Sequence, residues 1–280
     1  MSAEIVPSLG AGLARFNYRR VPLFRPWPNG GGGNPFDLAC NLLLPWSNRI
    51  SGGGFVFEHK FHELLANVAD EPFPIHGNGF SQEWEVDSLA PDKASLSLVS
   101  DGPGPYRYRA EVTYALTGQA LELQLLIVNS APVRLPFGLG IHPWFPRTAL
   151  TTLHAPASQV CLELPSHLPD RFEDVETRPD WDFATPAALP SGWINNAFAG
   201  WDGVASIRWP EQNCGLRIEA SPVLNFYLVY SPSQASDFVC FEPVSHVVDA
   251  HNRGSIDKWN GLSVLSPGES LVADCSFTVI

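Results

Sequence analysis

From residue 106 to residue 116 the chain alternates with a period of two. Tyr106, Tyr108, Ala110, Val112, Tyr114 and Leu116 are apolar, and Arg107, Arg109, Glu111, Thr113 and Ala115 stand between them. Successive side chains of a strand point to opposite faces, so such a run buries one face and wets the other. After the turn Thr117-Gly118-Gln119, Leu121, Leu123 and Leu125 alternate with Glu122 and Gln124. Two alternating runs across a short Gly-containing turn predict an antiparallel hairpin over 106–116 and 120–129. The pattern returns at Leu271, Ala273, Cys275, Phe277 and Val279, with shorter runs at 95–99, 205–209 and 215–220. Gly/Pro turns such as Asp101-Gly102-Pro103-Gly104-Pro105 and Ser266-Pro267-Gly268 separate them. No long segment keeps a 3.6-residue period between caps, so helices should be few and short. The expectation is an all-β protein, a sandwich of large antiparallel sheets, because the chain has no blade-like repeat.

The chain of 280 residues shows no linker long enough to divide it, so a single domain over 1–280 is expected. The run Gly30-Gly31-Gly32-Gly33 reads as a surface loop, because no Gly-Lys-Ser/Thr follows to cradle a phosphate. The Pro-rich stretch 165–190 reads as a long surface excursion that covers one side of a site. The net charge is −12 with only 17 Lys and Arg, and no basic run exists. Nucleic acid and anionic membrane surfaces are therefore excluded as expected partners. Five scattered cysteines without a Cys-x-x-Cys pair predict reduced thiols and a cytoplasmic home. Residues 1–20 lack the apolar core of a signal peptide, and no stretch has the ~18 apolar residues of a membrane-spanning helix.

Four polar residues stand in unusual frames. His142 follows the alternating segment 134–141 and precedes Pro143, which cannot donate to a ladder and so places the histidine at a strand end. Glu242 closes the apolar run Phe238-Val239-Cys240-Phe241 ahead of Pro243, and a carboxylate there is costly unless it is paired, hydrogen-bonded or functional. His76 sits in Pro74-Ile75-His76-Gly77, and Arg49 ends Trp46-Ser47-Asn48-Arg49. Each also has a bland reading, a hydrogen-bonded structural histidine or a salt bridge at a rim. Trp46 and Trp144 flank these groups and could offer an apolar face to a sugar ring, although tryptophan in a β-rich core is more often packing. The segment His246-Val247-Val248-Asp249-Ala250-His251 invites a metal triad but lacks an adequate set of ligands, and hydrogen bonds that brace the loop after Glu242 are the better reading. No Gly-x-Ser-x-Gly elbow is present, and Glu83 with Glu85 makes a poor glycosidase pair.

Together the motifs resemble the bacterial branch of the aldose 1-epimerase (galactose mutarotase) family. They are Pro-Trp-Ser-Asn-Arg-Ile at 45–50, Pro-Ile-His-Gly at 74–77 with Trp84 following, Gly-Ile-His-Pro-Trp-Phe at 140–145, Gly-Trp-Asp-Gly at 200–203 and Glu-Pro-Val-Ser-His at 242–246. The resemblance implies a β-supersandwich and a cofactor-free, metal-free cleft that interconverts the anomers of a small-molecule sugar, in a monomer or homodimer. It assigns Glu242 as general base, His142 as general acid, His76 as a second histidine near the ring oxygen, and Arg49 as a substrate-holding residue. Asn48, Trp46, Trp144 and Asn195 complete the expected substrate contacts. The resemblance departs at Asn195-Asn196-Ala197-Phe198, where relatives often carry Asp in the first position.

Overall fold

The hairpin forms as its alternation requires. Tyr108–Thr117 pairs antiparallel with Ala120–Asn129, Leu123 opposite Tyr114 and Leu125 opposite Val112. The apolar set (Tyr108, Ala110, Val112, Leu121, Leu123, Leu125) is buried, and Arg109, Glu111, Glu122 and Gln124 face solvent. The last strand, Ser270–Val279, adds to the hairpin with Cys275 opposite Leu123. The computed structural model describes residues 1–28, 33–254 and 259–280, so of the Gly30–Gly33 run only Gly33 lies within it.

Two large antiparallel sheets carry the structure. One, of nine strands, runs from Ala187–Ala188 through Val204–Trp209, Ser270–Val279 and the hairpin to Glu85–Leu89. The other, of ten strands, has the spatial order Ser2–Val6, Gly12–Tyr18, Cys40–Leu43, Gly140–Pro146, Phe238–Val244, Phe226–Ser231, Ile194–Ala199, Gln159–Glu163 and Pro169–Asp174, with Val21–Pro22 beside the second of these. Aromatic rings join the two: Phe24 meets Phe277 at 5.0 Å and Phe145 at 5.2 Å between centroids, both edge to face. Helical structure among the described residues is limited to 3-10 turns of three residues each. None of it is long and apolar enough to cross a membrane.

The central strands of the ten-stranded sheet are buried on both faces, which is why they show no alternation in sequence. One face, with Ile141, Phe145, Val229, Val239 and Phe241, packs into the core. The opposite face carries polar side chains and forms the floor of a cleft.

Two sequence expectations change here. Pro143 and Pro243 do not end their strands: His142 and Glu242 lie inside Gly140–Pro146 and Phe238–Val244. Antiparallel residues point their N–H groups alternately to the two neighbours, so a proline weakens only one side. Pro143 keeps its place opposite Cys40, and Pro243 keeps its place opposite Tyr227. Between the two strands, pairing stops after Gly140 opposite Val244 and resumes at Trp144 opposite Cys240. The stretch 165–190 is likewise not all loop. It contributes Pro169–Asp174 as the edge strand, and only its beginning, Pro165 to His167, reaches the cleft.

Candidate active site

Strand register assembles the floor. Asn41 lies opposite His142, Trp144 opposite Cys240, Cys240 opposite Tyr230, and Tyr230 opposite Asn195. Glu242 is two residues from Cys240 and opposite Leu228, so it shares their face. The cleft above, about 530 Å³, suits a monosaccharide-sized ligand. Its walls include Phe36, Arg49, Glu71, His76, His167 and Trp193.

His142 Nε2 lies 3.4 Å from Glu242 Oε1. Both residues are buried, and His142 Nδ1 and Glu242 Oε2 have no protein partner. Burial disfavours the charged form of each. It pushes Glu242 up to about 8, against the opposing charge of Arg49. It drives His142 down to about 3, with Arg25 adding to the effect. Between those limits the pair holds one proton, which the two opposed shifts place on the carboxyl. The Trp144 indole stacks on the His142 ring at 5.2 Å and 11°, while the Arg25 guanidinium lies 4.1 Å from the Trp144 centroid.

His76 and Asn48 form a reciprocal clip. Both adopt left-handed backbone at φ about 60°, a conformation unusual for residues with a Cβ. His76 N donates to Asn48 O, and Asn48 N donates to His76 Nδ1, both at 3.0 Å. An Nδ1 that accepts leaves the ring hydrogen on Nε2. Burial, followed by the nearby His142 and Arg49, holds His76 well below the ordinary histidine range, so it is a neutral donor. Gly77 must follow, because a Cβ there would sit 2.1 Å from Leu44 O.

Arg49 lines the cleft, but Glu71 holds its fork: Nε reaches Oε1 at 3.0 Å and Nη2 reaches Oε2 at 2.6 Å. Asn48 Oδ1 accepts from Arg49 N at 2.9 Å. Trp46 is elsewhere. It is buried in the core, 5.7 Å from the Tyr106 ring and 6.1 Å from the His251 ring, and does not line the cleft. His246 and His251 are braces: His246 Nε2 accepts from Ser47 N, Asp249 accepts from Ser51 N and Oγ, and His251 Nε2 meets the Tyr106 hydroxyl. The donors closest to a metal-binding set are His142, Cys240 and Glu242, within 4.8 Å of one another. Burial and the Glu242 charge push the Cys240 thiol well up, which disfavours the thiolate a metal would need.

Sequence reasoning missed Glu71, Glu163, His167 and Tyr230. Glu163 was within reach of the rule that picked out Glu242, since it closes the run Val160-Cys161-Leu162.

Two large antiparallel sheets with a cleft floored by a buried carboxyl–imidazole pair define a galactose mutarotase-like class of fold, and comparison with known proteins agrees. The aldose 1-epimerase family model matches residues 2–278, and the chain belongs to that family. It is 36% identical over 267 residues to the uncharacterized Escherichia coli K12 protein YphB, covering 92% of this chain and 89% of that one. A crystal structure from E. coli K12, described only as a candidate aldose 1-epimerase, superposes with a TM-score of 0.90 at 32% identity and covers 100% and 99% of the two chains. A galactose mutarotase-like protein from Clostridium acetobutylicum shares the fold at a TM-score of 0.87 and 18% identity, covering 99% of this chain and 92% of that one.

Proposed function

We propose that the chain interconverts the α and β anomers of free aldose sugars by acid–base ring opening and reclosure. The observation that carries this reading is the 3.4 Å contact between His142 and Glu242 on the floor of the cleft. The ring oxygen and the anomeric hydroxyl are bonded to the same carbon, so two adjacent groups can serve both.

A polar sugar and the Arg49 charge favour the carboxylate, and the shared proton crosses to His142 Nε2. Glu242 takes the proton of the anomeric hydroxyl as His142 gives its proton to the ring oxygen. The bond between the anomeric carbon and the ring oxygen breaks, leaving an aldehyde and a free hydroxyl. Rotation about the adjacent carbon–carbon bond turns the other face of the carbonyl to that hydroxyl. Glu242 then returns its proton to the carbonyl oxygen while His142 recovers one from the hydroxyl, and the ring closes as the other anomer. Each proton-transfer group commonly contributes ~10²–10⁴-fold. His76, donating from Nε2, supports the sugar oxygens, and Trp193 offers a ring face.

Charge favours free over phosphorylated sugars. Asp70 lines the cleft, and Arg49, the described Arg or Lys there, is already paired with Glu71. Arg147 donates to Ser231 and Pro190, and Arg134 pairs with Glu58.

Polarimetry on freshly dissolved α-glucose and α-galactose tests the reading. Anomer exchange should be faster with the wild type than with Glu242→Gln. Equal rates would remove the assignment for those sugars, and sugar binding without exchange would select a non-catalytic carbohydrate-binding domain.

A further inference from the structure

Asn195 lines the cleft, and a carboxylate, Glu163, lies one strand away. Asn195 Nδ2 donates to Glu163 Oε2 at 2.9 Å. The same oxygen meets His167 Nδ1 at 2.9 Å, and Oε1 accepts from Trp193 Nε1. His167 and Trp193 stack at 5.4 Å and 27°, and both line the cleft beside Asn195. Glu163 is mostly buried, with its side chain 18% exposed. An ionised carboxylate only accepts, so it orients the Asn195 amide nitrogen toward itself and leaves Oδ1 for a ligand.

We infer that Glu163 is a positioning residue that makes Asn195 an acceptor for a sugar hydroxyl. The proposal rests on the mutarotase reading. Glu163 does not touch the sugar. It acts through Asn195, and through His167 and Trp193, which it ties to the same wall. The substrate class that follows is an aldose whose hydroxyl donates to Oδ1 at this side of the cleft.

A carboxylate at position 195 should be worse than the amide. Asn195→Asp would set two carboxylates at hydrogen-bond distance, where both cannot ionise without strong repulsion. Asn195→Asp with Glu163→Gln restores one amide and one carboxylate in exchanged places.

The test is a cycle of wild type, Asn195→Asp, Glu163→Gln and the double variant, with KM and kcat measured separately for anomer exchange. Asn195→Asp should raise KM about tenfold, and Glu163→Gln severalfold, since Gln cannot accept from all three donors at once. The double variant should return to within about threefold of wild type. A loss concentrated in KM and rescued by the exchange marks positioning, which a merely structural role would not produce. If Asn195→Asp equals or exceeds wild type, or if the double variant is as poor as the sum of the singles, the proposal is overturned. A wild type inactive on every aldose overturns the mutarotase reading instead. The contact is then still read from thermal unfolding. A proton retained between residues 163 and 195 in Asn195→Asp makes its Tm fall, relative to the double variant, as pH rises from about 4 to about 7. A constant difference over that range would deny the contact.

Discussion

His142 and Glu242 meet at 3.4 Å across the one interval where neighbouring central strands fail to pair, each followed directly by a proline. The two groups form one titrating unit, and its single proton is what the reaction moves. Removing either group should therefore cost nearly the whole acid–base advantage. Glu242→Gln and His142→Asn are each expected to slow anomer exchange by ~10²–10⁴-fold, and the double variant should be little slower than the worse single. Magnetisation-transfer NMR between the two anomers measures this directly.

The pH profile follows from the same unit. Above about 8 the pair loses its shared proton, because burial has raised Glu242 to that value. Below about 3 it gains a second, because burial has lowered His142. The rate above the uncatalysed background should hold through neutrality and fall on the alkaline side near 8. Activity rising steadily past pH 9 would contradict a one-proton pair.

The buried carboxyl also makes stability depend on pH. Its ordinary value is ~4.3, and the folded protein raises it to about 8. Between these values the folded state holds a proton that the unfolded chain has released, so stability falls as pH rises. Glu242→Gln lacks this dependence. Its Tm relative to wild type should be higher at a pH of about 8.5 than at about 5, while its activity is lower at both.

Free sugars should be preferred to their 6-phosphates by at least about tenfold in kcat/KM, because a phosphate would enter beside Asp70 while Arg49 is held by Glu71. Competition between glucose and glucose 6-phosphate checks this, and a preference for the phosphate would reverse the substrate class.

Trp46 separates packing from binding. As a buried core residue, its replacement by Ala should cost about 3–5 kcal/mol of stability and leave KM of the folded fraction close to wild type. Chemical denaturation alongside initial-rate measurements distinguishes the two. A large rise in KM would return Trp46 to the cleft.

The alternating hairpin was legible because one of its faces meets water. The cleft strands were not, because they are buried on both sides, and burial erases the two-residue rhythm in Phe226–Ser231 and Phe238–Val244. His142 and Glu242 stood out through their frames, yet the prolines beside them read as strand ends when they are one-sided gaps in a ladder. Trp46 read as a cleft residue because it flanks Asn48 and Arg49 in sequence, but neighbours in sequence leave a bending chain in different directions. Glu71 went unseen because its meaning lies in its partner at position 49, which no local pattern announces, whereas Glu163 closes an apolar run and was open to the rule that picked out Glu242.

The stack of Trp144 on His142, with Arg25 close by, has a consequence for catalytic power. An imidazole kept from protonation by dry surroundings and a nearby cation becomes, once it does carry a proton, an unusually strong acid. On the proposed mechanism the oxygen it serves is the weakly basic ring oxygen of a sugar. The enclosure that makes the charged histidine scarce also gives each one the force to break the ring.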